Sequence, residues 1–257
     1  MFRSWTEAST PELAIHAVEL RSRGDRSKES SVGNLRDMVH RLARDIVGLF
    51  NSPFALFGHG FGAIVSCKLA CQLRNDFGLM PAHLLVSAHR APHLPPREML
   101  HALPDEVLIR CLAALRGLSD QIPCEPELVT FFLSLIRTDL TLTETYVIDP
   151  GDACLDCRIT VLGASEDPSA TQQKLEAWSV LPPIPSICCG SVEVISAFNL
   201  NMHVYLLLSA SSYADKFRVT TPPLPLLCFG PARSVRQPYI FPLALSRSQR
   251  LNFRTVV

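Results

Sequence analysis

With 257 residues, 47% of them hydrophobic and 19% charged, the chain can bury one substantial core and is short for two independent domains. Lysine plus arginine equal aspartate plus glutamate at 24 each, so no overall charge favours a nucleic acid or an anionic membrane as a partner. No run approaches the roughly 20 apolar residues that a membrane-spanning helix needs. We therefore expect a soluble protein that recognises its partner through a specific site.

Nine cysteines are scattered through apolar stretches, and no signal peptide opens the chain. This usage predicts reduced thiols in the cytoplasm. Cys154 and Cys157 have the spacing of a redox pair or of half a zinc site, but no second pair or histidine cluster accompanies them, and they precede a strand instead of opening a helix. We expect no metal ion and no other cofactor.

The first part of the chain predicts alternating strands and helices. Residues 13–20 are apolar and predict a strand, and the polar residues 21–31 predict a surface loop. Apolar residues then recur at intervals of three and four from Leu35 to Phe50, which indicates an amphipathic helix. The uncharged residues 54–57 predict a second strand. This order is typical of a parallel sheet with crossover helices.

A glycine-rich turn joins the second strand to the next helix. Gly58-His59-Gly60-Phe61-Gly62 is followed by apolar residues at helical spacing. This is the context of a nucleophile elbow, G-x-S-x-G, whose outer glycines let strand and helix approach closely while the central residue lifts its oxygen above the sheet. Gly58 and Gly62 fit the outer positions, but Gly60 stands at the nucleophile position. A structural turn or a phosphate-binding loop is the alternative on glycine spacing alone, although the helix opens without the Gly-Lys-Ser/Thr of a Walker loop.

The rest of the chain predicts further strands with a helical insert between them. Strands are predicted at residues 82–88, 158–163 and 191–195, the last leading to residues 199–206, and a helix is predicted at 172–178. The helix-rich residues 103–146 predict a cap over the carboxyl edge of the sheet, where ligands of such sheets bind, with ordinary core helices as the alternative. Residues 221–257 contain six prolines and show neither a helical nor a strand period in their apolar residues. We therefore interpret them as an irregular tail.

These residues resemble the type II thioesterases of the α/β-hydrolase superfamily, which hydrolyse acyl thioesters from carrier proteins of fatty-acid, polyketide and nonribosomal-peptide synthases. The resemblance covers roughly residues 1–206. The motifs that carry it occur in the family's order: Phe2-Arg-Ser-Trp5, Pro53-Phe-Ala-Leu-Phe-Gly-His59, His83-Leu-Leu-Val-Ser87, Arg90-Ala-Pro92, Leu100-His-Ala-Leu-Pro-Asp105, Arg137-Thr-Asp139, Glu144-Thr-Tyr146, Leu155-Asp-Cys-Arg-Ile-Thr160, Ser165-Glu-Asp167, Trp178 and His203-Val-Tyr-Leu206.

The resemblance implies an α/β-hydrolase fold, a doubly wound and mostly parallel sheet with a helical cap insertion. The hydrolase domain would span residues 1–220, with the cap at about 93–150 and the irregular tail at 221–257. The family's catalytic order places Gly60 at the nucleophile position, Asp167 as the orienting carboxylate and His203 as the base. The backbone amide of Phe61 would contribute to the oxyanion hole. His59 also matches the family, where it is not the base.

Two departures from the family bear on activity. Gly60 replaces the serine that would be acylated, and losing a member of a catalytic triad typically costs about 10⁴-fold in rate. The family usually has a strand and a glycine-rich loop before the Phe2 segment, and that loop supplies a hydrogen-bond donor to the oxyanion hole. This sequence starts at Met1-Phe2, so we expect that donor to be absent, and the loss of one such donor costs about 10²–10³-fold in rate. Ser66 and Cys67 are alternative nucleophiles, but they lie one to two turns into the helix, roughly 6–10 Å along its axis from Gly60.

The sequence therefore predicts a weak or inactive thioesterase that acts on acyl thioesters of an acyl or peptidyl carrier protein. Two alternatives stay open. One is a non-catalytic pseudoenzyme that binds a carrier protein or an acyl chain, and the other is a decayed or mis-assembled gene product. The resemblance implies a monomer, with neither nucleic acid nor membrane as a partner.

Overall fold

A computed structural model of the chain describes residues 13–30, 32–114, 126–148, 155–163, 167, 171–180, 192–196, 226–229 and 253–254. These residues contain seven strands: β1 (Leu13–Ala17), β2 (Ala55–His59), β3 (His83–Ser87), β4 (Arg158–Gly163), β5 (Val192–Ser196), β6 (Leu226–Phe229) and β7 (Phe253–Arg254). They also contain five α-helices: α1 (Leu35–Ile46), α2 (Phe61–Phe77), α3 (Asp105–Ala114), α4 (Pro126–Glu144) and α5 (Gln172–Glu176).

The strands form one sheet in the order β5-β4-β3-β2-β6-β1-β7, and every neighbouring pair is parallel. The predicted alternation of strands and helices is therefore confirmed for the described residues. The β2–β3 register pairs Ala55 with His83 and His59 with Ser87, so both strands end at the same level. This shared carboxyl edge is where parallel α/β sheets bind their ligands.

Strand β6 lies between β1 and β2, near the centre of the sheet. It pairs Leu227 with both His16 and Leu56, and Phe229 with Gly58. The prediction of an irregular tail is wrong for residues 226–229 and 253–254, which are strands. Runs of four and two residues are too short to show a strand period, and the prolines around them point to loops.

One face of the sheet packs against α1 and α2 and forms the main core. Leu56, Leu84, Val86 and Ile159 all belong to this cluster and are fully buried. Because side chains alternate along a strand, the residues between them, such as Phe57, face the opposite side. His59 and Ser87 share that opposite face with Phe57, at the strand ends.

Local signals explain where the two core helices begin and end. Helix α1 starts after Asn34, whose side chain accepts a hydrogen bond from the backbone N–H of Asp37 at 2.8 Å. Helix α2 ends at Gly78, which has φ of 65° and donates its N–H to the carbonyl of Arg74.

The insert between β3 and β4 has a small core of its own. Leu108 and Leu112 of α3 and Leu133 of α4 form a second buried cluster. Glu144 at the end of α4 accepts hydrogen bonds from the backbone N–H groups of Leu100 and His101 and contacts His101 Nδ1 at 2.6 Å. The predicted helical insert is confirmed for residues 105–114 and 126–144, and residues 115–125 lie outside the described part. None of the helices in the described residues is long and apolar enough to cross a membrane.

Candidate active site

The turn between β2 and α2 has the geometry of an elbow. Gly60 lies between them with φ of 56° and ψ of −122° and forms the N-cap of α2. Its N–H donates to the carbonyl of Ser87 at 2.9 Å, and its own carbonyl accepts from Ala63 N–H at 3.0 Å. The hydrogen bond to Ser87 ties the elbow to the end of the neighbouring strand β3. The predicted strand, turn and helix are present.

The two glycines of the elbow are needed for different reasons. A Cβ at Gly58 would lie 2.1 Å from the carbonyl oxygen of Gly62 and 2.5 Å from Ser66 Oγ, so only a hydrogen fits between strand and helix. Among the described residues, a Cβ at Gly60 would meet no atom within 4 Å beyond its chain neighbours. Its positive φ is a conformation that L residues rarely adopt and that nucleophile elbows impose on their central residue. The elbow therefore offers open space at the nucleophile position.

Ser66 and Cys67 do not take over as nucleophiles in this geometry. Ser66 is fully buried and its hydroxyl donates to the carbonyl of Ala63 at 3.0 Å. Cys67 is also buried within α2. Neither side chain is exposed to a substrate at the carboxyl edge.

His59 lies beside Gly60 at the end of β2, and its Nδ1 is 3.2 Å from Ser87 Oγ. The ring is partly buried, whereas Ser87 is buried. Burial lowers the pKa of His59 below its usual 6.5, and the charge of Asp167 partly offsets this by raising it. The imidazole is therefore neutral at neutral pH.

Asp167 follows β4 at the carboxyl edge, close enough to His59 for its charge to act on that ring. The prediction that Asp167 orients His203 stays a prediction, because His203 lies outside the described residues. Phe61, the predicted source of an oxyanion N–H, is the first residue of α2. The structure thus brings Gly60, Phe61 and Asp167 to one edge of the sheet.

A second histidine extends the polar cluster behind His59. His89 follows β3 after Ala88, a non-glycine residue with φ of 52°. Desolvation lowers the pKa of His89 to about 4, so this ring is also neutral. The carbonyl of His89 accepts a hydrogen bond from Trp178 Nε1 at 3.0 Å, which anchors the segment. His59 is close enough for its charge to lower the pKa of His89 further.

Arg23 connects the elbow to the insert. It follows β1, its guanidinium carbon lies 5.5 Å from the centroid of the Phe61 ring, and its Nη2 is paired with Asp139 of α4. Burial raises the pKa of Asp139, and the contact with Arg23 lowers it in part. Through Arg23, helix α4 is therefore connected to the first residue of α2. The sequence signal for this contact is weak, because Arg23 sits in an arginine-rich stretch typical of a solvated loop.

No group of three or more His, Cys, Asp or Glu side chains that could hold a metal ion occurs in the described part of the chain. The described residues at this edge are a histidine, a carboxylate, a helix N-terminus and an open position. Such a set suits proton transfer and stabilisation of a developing negative charge.

The chain matches a family model described as Thioesterase domain over residues 1–185. The linear gramicidin dehydrogenase LgrE of Brevibacillus parabrevis is 34% identical over 182 residues, covering 69% of this chain and 69% of that protein. The medium-chain S-acyl fatty acid synthase thioesterase of Rattus norvegicus is 26% identical over 185 residues, covering 70% and 69%.

Solved structures agree with the sequence comparison. RedJ, a thioesterase from the prodiginine biosynthetic pathway in Streptomyces coelicolor, superposes with a TM-score of 0.67 at 28% identity. The match covers 82% of this chain and 79% of RedJ.

Proposed function

The chain belongs to the thioesterase family, and on that premise we propose that it binds acyl thioesters of a carrier protein and hydrolyses them slowly. The expected fold is confirmed, since the sheet is parallel with helices around it and superposes on thioesterase structures of the α/β-hydrolase type. The substrate class is supported by the names of two relatives, a fatty acid synthase thioesterase and a thioesterase of prodiginine biosynthesis.

The observation that carries the proposal is the conformation of Gly60. A glycine in a left-handed turn at the start of α2, with open space where a Cβ would project, has the backbone of a nucleophile elbow without a nucleophile. We propose that Asp167 and His203 are the carboxylate and base of the original triad and that the N–H of Phe61 is an oxyanion donor. Hydrolysis is slow in this proposal because position 60 cannot be acylated.

The test is to restore the nucleophile. The Gly60→Ser variant should raise kcat/KM for octanoyl-coenzyme A by about 100-fold or more, because a serine at an elbow provides the missing acyl acceptor. The strained φ should cost about 1–3 kcal/mol of stability. His203→Ala in the Gly60→Ser background should remove the gain.

Gly78→Ser is the matched control. Gly78 lies at the other end of α2, also with positive φ and with open space around a Cβ. Its replacement should impose similar backbone strain without any gain in hydrolysis. Equal rates for Gly60→Ser and wild type, with both proteins folded, would contradict the proposal that only the nucleophile is missing.

Binding without catalysis is the second candidate, and the Arg23–Asp139 contact favours it. Arg23 pairs with Asp139 of α4 and also lies against the Phe61 ring, so it connects α4 to the carboxyl edge of the sheet. A surface for ligand binding at this edge is therefore present although the nucleophile is absent. Binding of a carrier protein by calorimetry, with no turnover by the unmodified protein, would support this candidate. A protein that does not melt cooperatively would instead support the third alternative, a decayed gene product.

The partner in this proposal is an acyl or peptidyl carrier protein, and we propose a monomer that contacts it through the carboxyl edge. We also propose a reducing, cytoplasmic setting. Four cysteines among the described residues are reduced thiols, as such a setting would keep them: Cys67, Cys71, Cys111 and Cys157.

A further inference from the structure

Arg23 lies between two elements that border the proposed site. Its Nη2 pairs with Asp139 of α4, and its guanidinium carbon lies 5.5 Å from the centroid of the Phe61 ring at the start of α2. The side chains of Arg23 and Asp139 are only 20% and 19% exposed, so both charged groups are mostly buried. One planar cation therefore contacts the insert on one side and the elbow helix on the other.

The loop that carries Arg23 is held in one shape by its own hydrogen bonds. Arg26 donates from Nε and Nη2 to the two carboxylate oxygens of Glu29 at 2.6 and 2.8 Å. Ser22, directly before Arg23, has φ of 64°, a value that non-glycine residues rarely adopt. Its hydroxyl donates to the carbonyl of Glu29 at 2.8 Å, and its N–H donates to the carbonyl of Arg26 at 3.1 Å. These contacts fix the backbone from which the Arg23 side chain extends.

Helix α4 belongs to both cores, so its position sets that of the insert. Leu133 packs in the small cluster of the insert, whereas Leu142 belongs to the main core. Asp139 lies between these two leucines along the helix. Arg90, after β3, donates from Nη2 to the carbonyl of Thr143 at 3.3 Å and so holds the same end of α4. The contact with Arg23 is therefore made where α4 passes from the insert to the main core.

Resting on the proposed function, we propose that Arg23 is a positioning residue for thioester binding: by contacting both Asp139 and the Phe61 ring, it sets the distance between the insert and the start of α2, where the acyl group binds. Arg23 acts through these two residues and takes no part in bond making. A mostly buried ion pair adds little net stability compared with an apolar pair, but loss of one partner leaves a costly unpaired charge. Burial already raises the pKa of Asp139 against the lowering effect of Arg23, so this carboxylate depends on its partner.

Hydrogen exchange of the backbone amides tests whether Arg23 holds α4. In Arg23→Gln we expect amides of residues 126–144 to exchange at least about 10-fold faster than in the unmodified protein, with those of β2 and β3 unchanged, because only local opening becomes easier. Arg21→Gln is the matched control, since Arg21 lies in the same loop and pairs with Glu29 of that loop at 3.3 Å. It should leave exchange in α4 unchanged. Unchanged exchange in α4 of Arg23→Gln, or equal acceleration in α4, β2 and β3, would overturn the inference.

Phe61→Leu tests the other end of the contact. Leucine keeps the backbone N–H and an apolar side chain but offers no aromatic face to the guanidinium. Exchange in α4 should therefore accelerate in Phe61→Leu, and the substitution should have no further effect when combined with Arg23→Gln. Equal effects of Phe61→Leu with and without Arg23 would reject Arg23 as the link. Should Arg23→Gln not fold, Arg23→Lys takes its place, because lysine keeps the charge for Asp139 but lacks the planar group.

Ligand binding, measured by calorimetry, separates this inference from the proposed function. The Kd of a thioether analogue of octanoyl-coenzyme A should rise at least about 10-fold in Arg23→Gln, since a small displacement at a site costs up to about 100-fold. It should stay unchanged in Arg21→Gln. A folded Arg23→Gln variant with the affinity of the unmodified protein would overturn the role of Arg23 in binding. If the unmodified protein did not bind the analogue, the proposed function would be rejected, and the exchange results would still decide whether Arg23 positions α4.

Discussion

At the scale of single residues, the elbow shows two distinct uses of glycine. Gly58 is required by space, because strand β2 and helix α2 meet where its side chain would be. Gly60 is required by neither space nor packing, and only its positive φ favours glycine. A substitution at position 58 therefore tests how closely β2 and α2 pack, and one at position 60 tests whether the site can hydrolyse a thioester.

Gly58→Ala should destabilise the protein by about 3 kcal/mol or more. Its Cβ would stand 2.1 Å from a backbone oxygen of α2, which must shift as a rigid unit to relieve the clash. Gly48→Ala is the control, since a Cβ at Gly48 would have no atom of the described residues within 4 Å. Urea denaturation should show a lower midpoint for Gly58→Ala alone, and equal midpoints for the two variants would refute the steric argument.

Residues of the site differ in how far sequence predicts them. The glycines at positions 58, 60 and 62 are close together in the sequence, so their spacing alone predicts the turn. The contact between His59 and Ser87 joins residues 28 apart, and that between Arg23 and Asp139 joins residues 116 apart. Such pairs depend on strand register and on the packing of the insert, which no local pattern encodes.

At the scale of elements, the long periodic segments were predictable and the short ones were not. Helices α1 and α2 and strands β2, β3 and β4 follow their hydrophobic patterns closely. Strand β6 has only four residues and lies in a proline-rich stretch, so its own sequence does not predict a strand. It forms by pairing with β1 and β2 on its two sides. A central position between β1 and β2 gives it hydrogen-bonding partners on both edges, which an isolated tetrapeptide lacks.

Leu227→Pro should destabilise the protein, whereas Leu227→Ile should not. Leu227 pairs with His16 on one side and with Leu56 on the other, and proline has no N–H for the ladder. The unpaired groups alone should cost about 1–3 kcal/mol. Isoleucine keeps the N–H and a similar volume. If thermal melting gave the same midpoint for both variants, β6 would not be a strand of the folded sheet.

At the scale of the whole molecule, three histidines that are neutral in the folded state make the stability of the protein depend on pH. Desolvation depresses the pKa of His59, of His89 to about 4, and of His83 to about 3. His83 is buried, with its Nε2 2.8 Å from Thr160 Oγ1 on the next strand. In the unfolded chain each ring would titrate near its ordinary 6.5. Below that pH the unfolded state binds more protons, so stability falls as the pH falls.

The free energy of unfolding should therefore drop between pH 7.5 and 5.5, well above the range where carboxylates titrate. Each histidine contributes about 1.4 kcal/mol per pH unit below 6.5, so His83 and His89 together should remove about 2–3 kcal/mol by pH 5.5. The raised pKa of Asp139 acts in the opposite sense, at pH values above its ordinary 3.8.

His83→Gln provides the decisive comparison, because glutamine can contact Thr160 Oγ1 but does not titrate. Its free energy of unfolding, measured by urea denaturation, should depend less on pH than that of the wild type, by about 1.4 kcal/mol over the same interval. Equal pH dependence in both proteins would mean that His83 is already accessible to protons in the folded state.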